Sequence, residues 1–121
     1  MLDDFDVLVY GGTAGGVISA VTAARQGLRV ALLEPGAHLG GMVTGGLSAT
    51  DHGEKQTIGG SSLEFYERLG RHYGREIEWY PEPHAAEKTF QVSGYCFSCS
   101  FNYTWYIRHN KTLHTFNTYY S

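Results

Sequence analysis

This 121-residue sequence lacks two kinds of run: a cluster of basic side chains and a long apolar segment. Nine Lys and Arg stand against twelve Asp and Glu, for a net charge of -3, so we expect no nucleic-acid partner. No apolar stretch reaches the roughly 20 residues that a membrane-spanning helix needs. Residues 1–6 are acidic and lack the positive segment of a secretory signal. The sequence therefore predicts a cytoplasmic protein that does not insert into a membrane.

Cysteine is also scarce, since Cys96 and Cys99 are its two occurrences. A single pair does not support a disulfide framework, and in a reducing compartment both thiols are expected to be free. His109 and His114 follow, and the four residues have the spacing of paired zinc ligands. However, nine residues separate the two pairs, whereas zinc fingers have about twelve at that place. We therefore predict no metal site.

Glycine, in contrast, is abundant, and much of it lies in a stretch that predicts a strand, a turn, a helix and a second strand. Residues 5–10 predict the first strand, in which the run Val7, Leu8 and Val9 is typical of a strand buried on both faces, and four glycines follow it closely. Residues 16–26 are rich in Ala and predict a helix, which Gly27 can end in the left-handed conformation. Residues 30–33 are the second strand. A right-handed crossover then brings the glycine turn and the end of the second strand to one edge of the sheet.

That edge has the chemistry of a dinucleotide site. A helix N-terminus carries unpaired N–H groups and partial positive charge, so it stabilises a pyrophosphate that glycines allow to approach. Glu34, 18 positions after Gly16, can accept hydrogen bonds from ribose hydroxyls and would repel a 2′-phosphate. The strict G-x-G-x-x-G pattern is not met, because Thr13 occupies its middle position. The alternative is a tight turn between strand and helix that binds no ligand.

Two glycine doublets, Gly40-Gly41 and Gly45-Gly46, follow the acid. With the opening Tyr-Gly-Gly-Thr-Ala-Gly-Gly at residues 10–16, this arrangement resembles the bacterial-type FAD-dependent oxidoreductases. The resemblance covers about residues 4 to 90 and is most specific in the first fifty. In many of those enzymes arginines flank the first doublet, whereas His38 and Met42 stand in those places here.

The resemblance implies FAD as the cofactor and assigns residues to it. Gly11, Gly16 and Glu34 would hold the adenosine diphosphate half, and the first doublet would pass near the pyrophosphate and ribityl chain. The full set of implied cofactor-binding residues is Gly11, Gly12, Thr13, Ala14, Gly15, Gly16, Glu34, Pro35, Gly40, Gly41, Met42 and Thr44. The alternative for the doublet is a flexible surface loop. Within the turn, we expect Gly12 to tolerate Ala better than Gly11 tolerates Val.

Catalytic residues cannot be assigned, because a flavin supplies the redox chemistry and the protein binds and orients it. Asp51 and His52, in the loop after the second doublet, either approach the flavin or are solvated turn residues.

Two helices are predicted after this loop. Residues 61–73 carry a stripe of apolar and aromatic residues at helical spacing, and Ser61 and Glu64 have the spacing of a capping box. The stripe, expected in the core, is Leu63, Tyr66, Leu69 and Tyr73; the basic side, expected in solvent, is Arg68, Arg71, His72 and Arg75. Residues 81–90 start another helix, with Pro83 in its first turn.

The composition changes near Gln91, after which aromatic and small polar residues crowd together without a lasting period. The fold class predicted is therefore α/β: an incomplete Rossmann-like βαβ unit, helices after it, and an irregular C-terminal tail. Residues 1–91 are the expected FAD-binding portion and residues 92–121 the tail, consistent with a truncated or altered form of a longer enzyme or a genuine short variant.

Three functions remain open from the sequence. The first is the FAD-binding portion of a flavin-dependent oxidoreductase that acts on an unknown small molecule and is inactive as this isolated chain. The second is a small nicotinamide-binding module, and the third is a non-functional truncated product. The oligomeric state is not predicted.

Overall fold

The structure, a computed structural model, describes residues 5–47, 49, 51 and 53–92 and the backbone of 103–109 and 112–117. Side chains are described as far as Gln91. The strands are β1 (Val7–Tyr10), β2 (Val30–Glu34), β3 (Tyr103–His109) and β4 (Thr112–Asn117). The helices are α1 (Ala14–Arg25), α2 (Gly60–His72) and α3 (Pro83–Val92), with 3-10 turns at Gly41–Val43 and Lys55–Thr57.

The first three elements form the predicted βαβ unit. β1 and β2 are parallel, with Val7 opposite Val30 and Tyr10 opposite Leu33. Helix α1 joins them and ends as expected, since Gly27 follows the last turn with φ of 85°. The incomplete Rossmann-like α/β fold is thereby confirmed.

The sheet continues in the order β1-β2-β3-β4, with β3 parallel to β2 and β4 antiparallel to β3. Both added strands lie in the segment that we predicted to be irregular, and that detail of the prediction is wrong. The segment shows no lasting apolar and polar alternation; β3 depends on long-range backbone pairing with β2, and β4 on pairing with β3. Local sequence does not report the pairing with β2. The domain boundary after Gln91 stays a prediction.

The core lies between one face of the sheet and the helices. Small and branched side chains of α1 bring its axis close to β2, and Phe65 of α2 stacks on Phe90 of α3 with ring centroids 4.4 Å apart. On β1, by contrast, Leu8 is 51% and Tyr10 76% exposed. The expectation that β1 is buried on both faces is wrong: Val7 and Val9 pack against the core, whereas Leu8 and Tyr10 alternate onto the other, exposed face. No helix among the described residues is both long and apolar enough to cross a bilayer.

Helix α2 differs from its prediction at the N-terminus. It begins at Gly60, and no side chain caps it, so the capping box at Ser61 and Glu64 is wrong. Glu64 instead accepts two hydrogen bonds from Arg25 of α1, at 2.6 and 2.7 Å, and another from Arg68 at 2.9 Å. The hydrogen bonds from Arg25, and to a lesser extent the one from Arg68, lower the pKa of Glu64 to about 2. Arg68 is therefore paired and not solvated as expected.

Three of the four residues of the predicted apolar stripe contact the core, with Leu69 fully buried and Tyr66 and Tyr73 packed against it. Leu63 is half-buried and does not belong to that core cluster. Helix α3 starts at Pro83, which occupies the first helical position that tolerates proline.

Candidate functional site

The turn between β1 and α1 is shaped by two glycines with different roles. Gly11 has φ of +107°, a conformation that favours glycine, and a Cβ on it would meet nothing within 4 Å. At Gly16, in contrast, a Cβ would lie 1.9 Å from the carbonyl oxygen of Gly11. Gly16 thus lets the helix start against the end of the strand, whereas Gly11 faces open space.

The start of α1 has the properties of an anion site. Thr13 caps the helix, because its Oγ1 accepts the N–H of Gly16 at 3.2 Å, and the first turn contains no acidic residue. The N–H of Gly15 has no acceptor in the described part of the chain, and a Cβ on Gly15 would meet nothing within 4 Å. The positive end of the helix therefore has no acidic side chain in its own first turn and is open to approach at Gly15.

Glu34 lies beside this turn at the end of β2. Its Oε2 accepts the N–H of Gly12 and its Oε1 accepts the N–H of Gly36, each at 2.6 Å. A carboxylate has about four acceptor positions, so two remain for ligand hydroxyls after these bonds. The two bonds fix the orientation of the carboxylate at the place where a ribose was predicted.

Gly12 is more constrained than we expected. A Cβ on it would lie 2.5 Å from Cδ2 of Leu39 and 2.9 Å from Oε2 of Glu34. This geometry argues against the tolerance of Ala that we expected at Gly12, because the loop after β2 folds back onto this residue. The local sequence does not reveal that long-range contact.

The first doublet packs directly on the glycine turn. Gly40 donates its N–H to the carbonyl of Gly12 at 2.7 Å and pairs with Thr13 in a parallel bridge. Gly40 is buried with φ of +98°, and a Cβ on Gly41 would lie 3.5 Å from Cα of Thr13. The doublet is thus an ordered part of the turn region, which disfavours the flexible-loop alternative.

The 3-10 turn at Gly41–Val43 adds further donors. Its internal hydrogen bonds begin with the N–H of Val43, which the carbonyl of Gly40 accepts at 3.2 Å. The N–H groups of Gly41 and Met42 have no acceptor among the residues described. The hydroxyl of Thr44 bonds to the carbonyls of Leu39 and Gly41, so it braces the turn from within.

These residues fit the diphosphate of a dinucleotide. Backbone N–H groups of Gly15, Gly41 and Met42 come from two segments in contact with each other, and a methyl group at Gly11 or Gly15 would project into open space. Unpaired N–H groups at a helix N-terminus and an adjoining turn are the usual donors to phosphate. Pro35, also predicted at the cofactor, is exposed just after Glu34.

A cavity lies on each side of this donor group. One, of about 390 Å³, adjoins the start of α1 and has a wall of Val43, Phe65, Tyr66 and Phe90. The other, of about 500 Å³, lies between the doublets and the start of α3 and includes His38, His84 and Glu87. Both volumes are in the range of small-molecule sites, about 300–1,000 Å³.

Glu87 is a site residue that the sequence did not suggest. Its carboxylate accepts the N–H of Leu39 at 3.0 Å and lies 3.1 Å from Nδ1 of His38. No local pattern marks it, because its partners are 48 and 49 positions away.

Several other predicted residues stay without a role. Asp51 is exposed beside a cavity that Met42, Leu47 and Tyr66 also line, so its approach to a flavin stays a prediction. His52, Cys96 and Cys99 lie outside the described residues, as do the side chains of His109 and His114. Among the described residues, no group of His, Cys, Asp and Glu could hold a metal ion.

Comparison with known proteins gives two similarities. A protein family described as FAD dependent oxidoreductase matches residues 6–98, more than half of the chain. A dihydrolipoyl dehydrogenase of Zymomonas mobilis subsp. mobilis is 50% identical over 42 residues, which are 35% of this chain and 9% of that protein. The matched region is therefore a small part of that curated relative.

Proposed function

This chain belongs to the FAD dependent oxidoreductase family, and we propose that its described residues bind the adenosine diphosphate half of FAD at the β1–α1 turn. FAD is the cofactor that this membership supports. The observation that carries the proposed position is the set of N–H groups at Gly15, Gly41 and Met42, which have no acceptor among the described residues. They belong to two segments that the Gly40–Gly12 hydrogen bond holds together.

In this proposal the pyrophosphate lies at the N-terminus of α1. The open space at Gly11 and Gly15 allows phosphate oxygens to approach the backbone. Because the first turn of α1 has no acid of its own, its partial positive charge is available to the ligand. Gly40 and Thr44 act indirectly, through the shape of the turn that presents Gly41 and Met42.

Glu34 is proposed to bind the adenosine ribose. The amides of Gly12 and Gly36 orient the carboxylate, and its remaining acceptor positions suit two vicinal hydroxyls. Its negative charge disfavours a 2′-phosphate, so a ligand that carries one should bind more weakly. The first glycine doublet, on which the resemblance to FAD-dependent oxidoreductases depends, packs on the β1–α1 turn. This position favours FAD over a nicotinamide dinucleotide as the ligand.

When bound, FAD supplies the redox chemistry of an oxidoreductase, and the residues described here bind and orient its nucleotide end. The substrate is proposed to be a small molecule of unidentified class. The matched part of the dihydrolipoyl dehydrogenase is too short to transfer that protein's reaction to this chain. The cytoplasmic location stays a prediction.

The 121-residue chain by itself is proposed to hold FAD weakly and to catalyse no turnover. Leu8 and Tyr10 are exposed on β1, and apolar surface of this kind on an outer strand reduces stability and solubility. Binding of FAD would then also have to order the protein, and the free energy of that ordering lowers the affinity. Purification of the chain with stoichiometric yellow cofactor would contradict this point.

The proposed binding mode is tested by competition among fragments of the cofactor. ADP contains the groups that the turn and Glu34 are proposed to bind, whereas FMN lacks the adenosine. We expect ADP to displace FAD and FMN to compete far less well, with the FAD that the protein retains after filtration, separated from FMN by chromatography, as the readout. Equal competition by FMN, or no binding of FAD at any concentration, would overturn the proposal.

A further inference from the structure

Glu87 connects α3 to the loop that precedes the first glycine doublet. Its Oε1 accepts the N–H of Leu39 at 3.0 Å, and its Oε2 lies 3.1 Å from Nδ1 of His38. The Glu87 side chain is 20% exposed, whereas that of His38 is 80% exposed. The bond to Leu39 is therefore the more shielded of the two, and its loss would leave a poorly hydrated N–H without an acceptor.

Leu39 connects this hydrogen bond to the β1–α1 turn. Its side chain is 1% exposed and packs at the place where a Cβ on Gly12 would collide with it, at 2.5 Å. The next residue, Gly40, donates its N–H to the carbonyl of Gly12. A displacement of Leu39 would therefore move Gly40 as well, together with the N–H groups of Gly41 and Met42 that follow.

The same face of α3 also makes an apolar contact with the doublet. Phe90 is three positions after Glu87, so the two side chains share a helix face. A Cβ on Gly40 would lie 2.8 Å from Cδ2 of Phe90. Helix α3 thus holds the loop at two consecutive residues, with a carboxylate at Leu39 and an aromatic ring at Gly40.

We propose that Glu87 is a positioning residue for FAD. It fixes Leu39 and so holds the Gly41 and Met42 amides against the β1–α1 turn. This inference rests on the proposed function, because it needs the phosphate at that turn. Glu87 itself touches no part of the cofactor in this account.

The test compares Glu87→Met with Glu87→Gln in the full chain. Both keep the side-chain length and a good helix former, but only Gln retains an oxygen that can accept the Leu39 N–H. We expect Glu87→Met to raise the dissociation constant of FAD about tenfold and Glu87→Gln to stay within about threefold of the parent, the difference expected for one lost shielded hydrogen bond. Hydrogen exchange of the Gly40 amide, measured without FAD, should accelerate in the Met variant and not in the Gln variant.

Lys88→Met, at the exposed neighbouring position of α3, is the matched control and should leave both quantities unchanged. If Glu87→Met fails to fold, Glu87→Asp replaces it, since a shorter carboxylate is withdrawn from Leu39 and should also weaken FAD binding. Parental FAD affinity and parental Gly40 exchange in the folded variant would overturn the inference while the proposed function stands. Failure of the parent chain to bind FAD would instead overturn the proposed function, and this inference with it.

Discussion

The amide of Gly12 donates a hydrogen bond of 2.6 Å to Oε2 of Glu34, and this bond joins the glycine turn to the end of β2. The two residues are 22 positions apart and belong to the two ends of the βαβ unit. The bond therefore couples the proposed phosphate site to the proposed ribose site, since a movement of either residue changes the other.

Replacement of Glu34 by Ala should weaken the binding of FAD and of ADP equally. The expected loss is about 1–3 kcal/mol, the size of charge-assisted hydrogen bonds to the ribose. The variant should also unfold at lower temperature, because the amides of Gly12 and Gly36 lose their acceptor. Isothermal titration with both ligands measures the first effect, and Glu76→Ala, an exposed acid far along the chain, is the control. An unchanged dissociation constant for ADP would remove Glu34 from the ribose site.

Replacement of Gly12 by Ala should destabilise the fold before it affects binding directly. The new methyl group would overlap Leu39 and Glu34, and overpacking of this kind costs about 1–3 kcal/mol. Gly53→Ala is a matched control, since Gly53 lies outside the helices and strands, a Cβ there meets nothing within 4 Å and its φ is outside the left-handed region. Chemical denaturation of the two variants should separate them clearly. Equal midpoints would mean that the loop does not pack on Gly12.

Gly15 and Gly16 form a second matched pair at the start of α1. Gly16→Ala should destabilise the protein, because its methyl group would lie 1.9 Å from the carbonyl oxygen of Gly11. Gly15→Ala should leave the unfolding midpoint unchanged or raise it slightly, since Ala favours the helix and the space is open. It should nevertheless weaken FAD binding about tenfold or more if the methyl group occupies the phosphate approach. Parental affinity in Gly15→Ala would place the phosphate elsewhere.

The ion pair between α1 and α2 should make stability depend on acid pH. Arg25 lowers the pKa of Glu64 from 4.5 to about 2, so the folded state favours the ionised carboxyl. The stabilisation is present above pH 4.5 and is lost as the pH falls from about 4.5 to about 2. Glu64→Gln should lower the free energy of unfolding by about 1 kcal/mol at neutral pH, after allowance for solvent screening, and reduce its slope in that acid range. Glu67→Gln on the same helix is the control, and an acid slope like that of the parent in Glu64→Gln would contradict the role of this pair.

The local sequence is sufficient to predict the elements of residues 5–34 in outline. Apolar runs and the Ala-rich segment predicted β1, α1 and β2, and Gly27 marked the end of the helix. The 18 positions from Gly16 to Glu34 correspond to one helix and one strand. This spacing places both residues at the same edge of the sheet, so the position of the site could be predicted from the sequence.

The long-range contacts could not be predicted in the same way. Glu64 has the spacing of a capping residue, yet Arg25 binds it from another helix, and two guanidinium bonds outweigh one weak cap. Leu39 gives no sign that it packs on Gly12, and Glu87 none that it accepts the Leu39 amide. These contacts depend on how α3 and the loop after β2 fold back onto the β1–α1 turn. The periodicity of residues along the chain carries no information on that arrangement.

The most direct test of the central claim is an amide shift titration of the ¹⁵N-labelled chain with FAD. We expect saturable shifts that are largest for the N–H groups of Gly15, Gly41 and Met42, with smaller shifts at Gly12 and Gly36 through Glu34. ADP should reproduce most of them and FMN few. Saturable binding with these five amides unmoved, and with the largest shifts on the exposed face of β1 at Leu8 and Tyr10, would contradict the account.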